Sequence, residues 1–295
     1  MSEFASAIGF GIVTAAILAV SSVGFTLQFS VTNVFNLSYG SVMTATGFIA
    51  YGLNNAGLNI WSSMAIAALG GGVISVLMNW LIFSRFIRHG LSRFGMVIVT
   101  IATGLICDNT IQAVVGPSFY SYNVPLERVH DIGGMLLTTQ ELIVIAIAIV
   151  LMTLTHVGLK YTRLGTAMRG LSVNSSLARA SGVPTRRVVA AAWFASGVMA
   201  GIGAVALFLD TGAFGATTGS SFLIIVIAAA VLGGVGSAEG AVVGALVVGI
   251  STEIAAAYWN AELKNVVAFL ILIVVLLVRP QGIFSQLSSE RTAVG

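Results

Sequence analysis

The residues able to do chemistry are few, and their spacing leaves little room for catalysis. His89, His130 and His156 have neither the i, i+4 partner nor the glutamate of a zinc-binding helix, and no metal or cofactor is expected. No G-x-x-x-x-G-K-[ST] loop is present to cradle ATP phosphates, and no G-x-S-x-G elbow to raise a nucleophilic serine. The lone Cys107 excludes a disulfide within the chain. Two carboxylates lie inside apolar runs, Asp108 between Cys107 and Asn109, and Glu253. An acid there is a candidate for proton or sodium coupling, or else a hydrogen-bonded member of a helix bundle. Neither has a cationic partner in its own run, which favours the second role.

The elements that carry these residues are membrane spans. Hydrophobic residues make up 57% of the 295-residue chain and charged residues only 8%, against about 25% in a soluble domain. So little charge cannot coat a water-facing surface. Seven runs approach the ~20 apolar residues of a spanning helix: Ile8–Gln28, Ser62–Phe83, Phe94–Val115, Leu142–Gly158, Val188–Leu209, Ala241–Tyr258 and Val266–Val278. Ser41–Leu53 and Phe222–Gly236 are shorter or broken. Because the runs are apolar on every face, a β-barrel with a polar lumen is disfavoured. The expected fold is an all-α polytopic membrane protein of roughly 8–10 transmembrane helices, a single transmembrane domain over 1–295. Two short or broken Gly-rich segments and a cytoplasmic coupling helix complete it.

Basic residues orient the spans. Arg85, Arg88 and Arg93 cluster after the third span. Lys160, Arg163, Arg169, Arg179, Arg186 and Arg187 fill Gly158–Arg187, which has no acid, and Arg279 and Arg291 follow the last span. These regions are expected in the cytoplasm and Gly116–Gln140 outside, with the N-terminus outside and the C-terminus inside.

Two Gly-marked stretches, Asn33–Ser41 and Gly233–Gly240, interrupt the apolar pattern with small and polar residues. Non-helical backbone at membrane depth needs protein or a water-filled cavity around it, and broken segments in corresponding halves mark transport sites. Ordinary extramembrane turns are the alternative. The first stretch offers neutral hydrogen-bonding groups for a zwitterion or an amide, namely Asn33, Asn36, Ser38 and Tyr39, with Gly40 and, just beyond, Thr44. The second offers Gly233, Gly234 and Gly236. The Gly236/Gly240/Gly244 and Gly197/Gly201 spacings suit close helix packing.

Gly158–Arg187, at about thirty residues, is long for a connection between packed helices. Asn174 and the serines after it can cap a short helix that Gly182 and Pro184 end. Such a basic helix lies on anionic lipid or docks a cytoplasmic partner.

Gly165–Pro184 resembles the coupling region of branched-chain amino acid ABC importer permeases of the LivH type. Gly24-Phe25-Thr26-Leu27 and Asn36-Leu37-Ser38-Tyr39-Gly40 are similar to that family's G-[LF]-T-L and N-[FL]-A-H-G. Gly233-Gly234-Val235-Gly236-Ser237 and Arg279-Pro280-Gln281-Gly282-Ile283-Phe284 resemble its G-G-x-G-S and R-P-Q-G-[LI]-F endings. The matches keep the family's order along nearly the whole chain. Tyr39 stands where the family usually has histidine, and Ser38 where it has alanine, which leaves the substrate open.

The resemblance implies a permease subunit of an ATP-driven importer in a prokaryotic inner membrane. Its expected cargo is a branched-chain or other hydrophobic amino acid, or a related small amide. Implied partners are a related second permease subunit or a second copy, two cytoplasmic ATPase subunits, an external soluble binding protein and membrane lipid, without nucleic acid. Gly165, Arg169, Asn174, Ala178, Gly182 and Val183 would form the coupling element. An ion-coupled secondary transporter is the alternative, and an intramembrane enzyme finds no catalytic pair.

Overall fold

The computed structural model describes residues 2–125, 128–260, 263–278 and 282–283. Arg279, Pro280, Gln281, Phe284 and Arg291 lie outside the described residues. The helices in chain order are α1 (Ser2–Thr32), α2 (Tyr39–Asn55), α3 (Ile60–Met78), α4 (Ser84–Arg88), α5 (Arg93–Val115), α6 (Thr139–Tyr161), α7 (Arg163–Val173), α8 (Ser175–Ala180), α9 (Thr185–Thr211), α10 (Thr218–Gly233), α11 (Ala238–Tyr258) and α12 (Lys264–Val278). A π-helical turn over Asn79–Phe83 joins α3 to α4.

Seven of the nine apolar stretches each lie on one helix, because long apolar sequence can satisfy its backbone in lipid only internally; Ser62–Phe83 continues from α3 through the π-helical turn, and Phe222–Gly236 runs three residues past α10. Among the described residues, six helical stretches are long and apolar enough to cross a membrane: Phe4–Thr32, Ile60–Arg88, Arg93–Val115, Thr139–Tyr161, Thr185–Thr211 and Ala238–Tyr258. The apolar helices α10 and α12 are shorter. The chain is therefore an all-α polytopic membrane protein. Side-chain oxygens cap the starts: Asn59 accepts from Trp61 N, Ser92 from Gly95 N, Thr162 from Gly165 N and Ser237 from Gly240 N.

The chain forms two compact units, whose boundaries fall within α1, α6 and α10 and in the connection after α5. The first comprises residues 1–26, 125–156 and 224–295, and the second 27–124 and 157–223.

In the second unit α2, α3 and α9 pack together. A Cβ on Gly71 or Gly197 would strike the other's carbonyl, and one on Gly201 would lie 2.7 Å from Ala68 Cα. The glycine spacing thus serves packing here. Phe83 and Trp193, both fully buried, stack at 5.2 Å.

In the first unit α11 packs on α10 through Gly240 against Gly233 and Gly244 against the Ala229 carbonyl, while Gly249 meets Ala15 of α1. Gly236 does not join this stripe. It sits before α11 in a turn with φ 104° and open space beside it. Residues expected only as an outer loop include an antiparallel hairpin, β1 (Val129–Ile132) and β2 (Met135–Thr138). Gly133 and Gly134, both at positive φ, make its two-residue turn.

Candidate substrate path and coupling face

Polar groups of the second unit converge on the start of α2. Asn33 ends α1 with φ 52° and is exposed, so it stands apart from the buried groups after it. Residues 33–38 form neither helix nor strand, and Asn36, Ser38, Tyr39 and Thr44 are all buried. The turn is satisfied from within. Asn36 Oδ1 accepts from Ser38 N at 3.1 Å and from Ser38 Oγ at 2.6 Å. Asn36 Nδ2 donates to Gln28 Oε1 at 3.3 Å, which also accepts from Ser196 Oγ of α9 at 3.2 Å. The buried Gln28 Nε2 has no acceptor among the described residues.

Helix α5 presents one group per turn to this region, since Thr100, Gly104 and Asp108 recur at four-residue spacing. Thr100 Oγ1 donates to Phe35 O at 3.1 Å, and Ser41 Oγ to Gly104 O at 3.1 Å. Ser220 Oγ of α10 donates to Asp108 Oδ2 at 2.7 Å and lies 3.5 Å from Ser41 Oγ. Gly219 N donates to Thr44 Oγ1 at 3.2 Å, and Gly40 packs against this same start of α10. A polar track therefore runs from Gln28 through Asn36 and Ser38, then from Ser41 through Ser220 to Asp108.

Farther along α2 the surroundings turn aromatic. Phe48 and Tyr51 pack edge-on against Tyr120 and Phe214, and Phe208 stacks on Phe214 at 4.3 Å. Tyr120 and Phe214 exchange backbone hydrogen bonds, and the Tyr122 hydroxyl donates to Gly47 O at 3.0 Å. Burial pushes the Tyr122 phenol well above its ordinary value, which keeps that donor protonated.

Of the expected path residues, the structure gathers Asn36, Ser38, Tyr39, Gly40 and Thr44. Gly233, Gly234 and Gly236 belong to the first unit. There Gly233 packs on Gly240, and Gly234 sits under Gly282, whose neighbour Ile283 donates its N–H to Leu232 O. Gly40 meets the first turn of α10, at Gly219 and Ser220. Gln28, Ser41, Thr100, Ser196 and Ser220 escaped the sequence because isolated polar residues in apolar helices carry no pattern alone. Thr100 alone had a signal, the four-residue recurrence with Gly104 and Asp108.

Glu253 also differs from expectation. Its Oε1 accepts from Lys264 Nζ of α12 at 2.6 Å and from Thr14 Oγ1 of α1 at 2.8 Å. The cation was sought on its own helix and stands at the start of the next one.

The segment between α6 and α9 is more ordered than its sequence suggested. Gly165 permits the sharp entry into α7, since a Cβ there would collide with the carbonyls of Gly158 and Leu159. Asn174 Oδ1 caps α8, accepting from Ser176 N and Leu177 N, and Gly182 ends it with φ 81°. Ala178 is turned inward, packed with Leu27, Val31, Met168, Leu171 and Val188, and Val183 lies against that cluster. Ala178 thus faces the body of the subunit. The outward residues include Arg169, Val173 (80% exposed), Leu177 (64% exposed) and Arg179.

The sequence matches the family described as branched-chain amino acid transport system / permease component over residues 7–276. It is 27% identical to the high-affinity branched-chain amino acid transport permease LivH of Escherichia coli K12, with 95% of each chain covered. It is 25% identical to the permease BraD of Pseudomonas aeruginosa, again with 95% of each covered. The fold resembles PsaBC from Streptococcus pneumoniae in complex with Fab, with a TM-score of 0.54 and 12% identity over 95% of this chain and 94% of that one. The chain belongs to the branched-chain amino acid transport permease family. It is a membrane-embedded permease subunit of an ABC importer, a transport component and not an enzyme, and it works with other components of such a system.

Proposed function

We propose that this chain passes a branched-chain or other hydrophobic amino acid, or a related small amide, along the polar track at the start of α2. The observation that carries the reading is the gathering of two polar clusters at the start of α2, Gln28 with Asn36 and Ser38, and Ser41 with Ser220 and Asp108. In a membrane interior, polar groups that are not needed to cap helices mark a solute route. Asn36, Ser38, Tyr39, Gly40 and Thr44 contribute to this path. Gly233, Gly234 and Gly236 support α10 at its other end.

Coupling uses α7 and α8. Gly165, Asn174, Gly182 and Val183 shape the element, and Ala178 anchors it to the permease. Its outward face, with Arg169, Val173, Leu177 and Arg179, meets a cytoplasmic ATPase. ATP-driven closure of two ATPase subunits biases the permease between states by differential contact with this face. A second permease subunit completes the path, and an external binding protein delivers the solute. The N-terminus lies outside and the C-terminus in the cytoplasm of a prokaryotic inner membrane.

The test is uptake of radiolabelled leucine, valine and acetamide into proteoliposomes holding the complex, its binding protein and internal ATP. ATP-dependent accumulation of leucine or valine is expected. Uptake that ignores ATP but collapses with an ionophore would reinstate ion coupling.

A further inference from the structure

Asp108 is the acid that the bonding network leaves half used. Oδ2 accepts from Ser220 Oγ at 2.7 Å. Oδ1 is buried, and no donor reaches it among the described residues. The ion pairs among the described residues are His156–Glu239 and Lys264–Glu253, so Asp108 has no cation. Glu253 is the comparison within the same chain. It occupies a similar position inside a helix, yet one of its oxygens takes both Lys264 and Thr14. Glu253 is ion-paired, whereas Asp108 is not.

The surroundings of Asp108 favour a visiting donor over a resident one. Ser220 and Ser41 are the nearest hydroxyls of the track, and both already donate, to Asp108 Oδ2 and to Gly104 O. A buried carboxylate oxygen without a donor is unfavourable until an N–H or a cation reaches it.

We propose that Asp108 is the cation anchor of the transport path, its Oδ1 accepting from the ammonium group of an amino-bearing solute. This deepens the reading of the track as the substrate route and rests on it. It also selects within the proposed cargo, favouring amino acids over neutral amides of the same shape.

The binding protein is left out of the first measurement, because its own selectivity would mask that of the permease. The assembled complex in lipid nanodiscs is titrated with L-leucinamide, which has the ammonium but no carboxylate, and with 4-methylpentanamide, which lacks the ammonium. Thermal midpoints report binding. Leucinamide should raise the midpoint of the wild type and bind about tenfold or more tightly than 4-methylpentanamide, as expected for one charge-assisted hydrogen bond. Asp108→Asn, which keeps an acceptor for Ser220, should erase that difference without altering yield. Equal binding of the two probes by the wild type overturns the proposal, and that comparison needs no variant. So does leucinamide binding unchanged by Asp108→Asn, or a midpoint that responds to sodium over choline and not to leucinamide. Leucine uptake by the complete system separates the two readings. If wild-type complex with active ATPase takes up no leucine, the assigned cargo fails and the anchor falls with it. If leucine enters equally through wild type and Asp108→Asn, only the anchor fails.

Discussion

Gly40 of α2 and Gly219 of α10 meet backbone to backbone. A Cβ on Gly40 would lie 2.6 Å from Ser220 Cα, and one on Gly219 would lie 2.6 Å from Gly40 O. This contact brings Ser220 within reach of Asp108 and lets Gly219 N bond Thr44. Gly40→Ala and Gly219→Ala should each destabilise the subunit by about 1–3 kcal/mol through overpacking. Thermal unfolding of the purified complex measures this, and unchanged midpoints would show the crossing to be looser than the geometry implies.

On α8 the inward and outward faces should separate by phenotype. Ala178→Trp forces a large ring into the cluster around Met168 and Leu171, at a cost of about 1–3 kcal/mol, and should lower the yield of folded permease. Leu177→Asp, on the outward face, should leave yield intact and weaken retention of the ATPase subunits. Co-purification reads both, and loss of ATPase with Ala178→Trp at full permease yield would reverse the assignment.

Gly240→Leu should impair folding of the first unit, because a side chain there meets the Gly233 backbone at once. Gly236→Ala acts differently. Space is open beside it, but φ 104° penalises any L side chain, by about 1–3 kcal/mol for a backbone held in a sparsely populated region. Expression and thermal midpoint of both variants provide the comparison.

Removing Lys264 should cost more than removing the pair. Lys264→Met leaves the Glu253 carboxylate without its cation, at about 1–2 kcal/mol once the partial exposure of the lysine is allowed for. The double change Lys264→Met with Glu253→Gln should recover most of that loss. A double variant no more stable than the single one would mean that the pair has no energetic coupling.

Tyr122 ties stability to high pH. Its phenol is raised above its ordinary value of 10.0 in the folded chain, so the unfolded chain loses that proton first. The contribution is full below pH 10 and declines as pH rises above it. Tyr122→Phe should lose the Gly47 bond, about 0.5–1.5 kcal/mol, and flatten that decline. Thermal midpoints on either side of pH 10 measure both effects.

The helices and their approximate ends follow from the sequence alone. An apolar run such as Phe94–Val115 must close its hydrogen bonds within itself in lipid, and local groups such as Ser92, Asn174 and Gly182 start or stop a helix whatever lies beyond. The buried turn at Asn36–Ser38 was legible for the same reason, because polar residues between two apolar runs need a special environment. Tertiary structure alone decided which helices meet. Ser220 reaches Asp108 across 112 residues of chain, and Lys264 reaches Glu253 from the next helix. Gly40 finds Gly219 across the chain. Spans that are apolar all round have no polar face to say which side turns inward, so their rotation and neighbours are set by close packing of glycine against backbone. Packing of that kind leaves only a spacing in the sequence, with no indication of the partner.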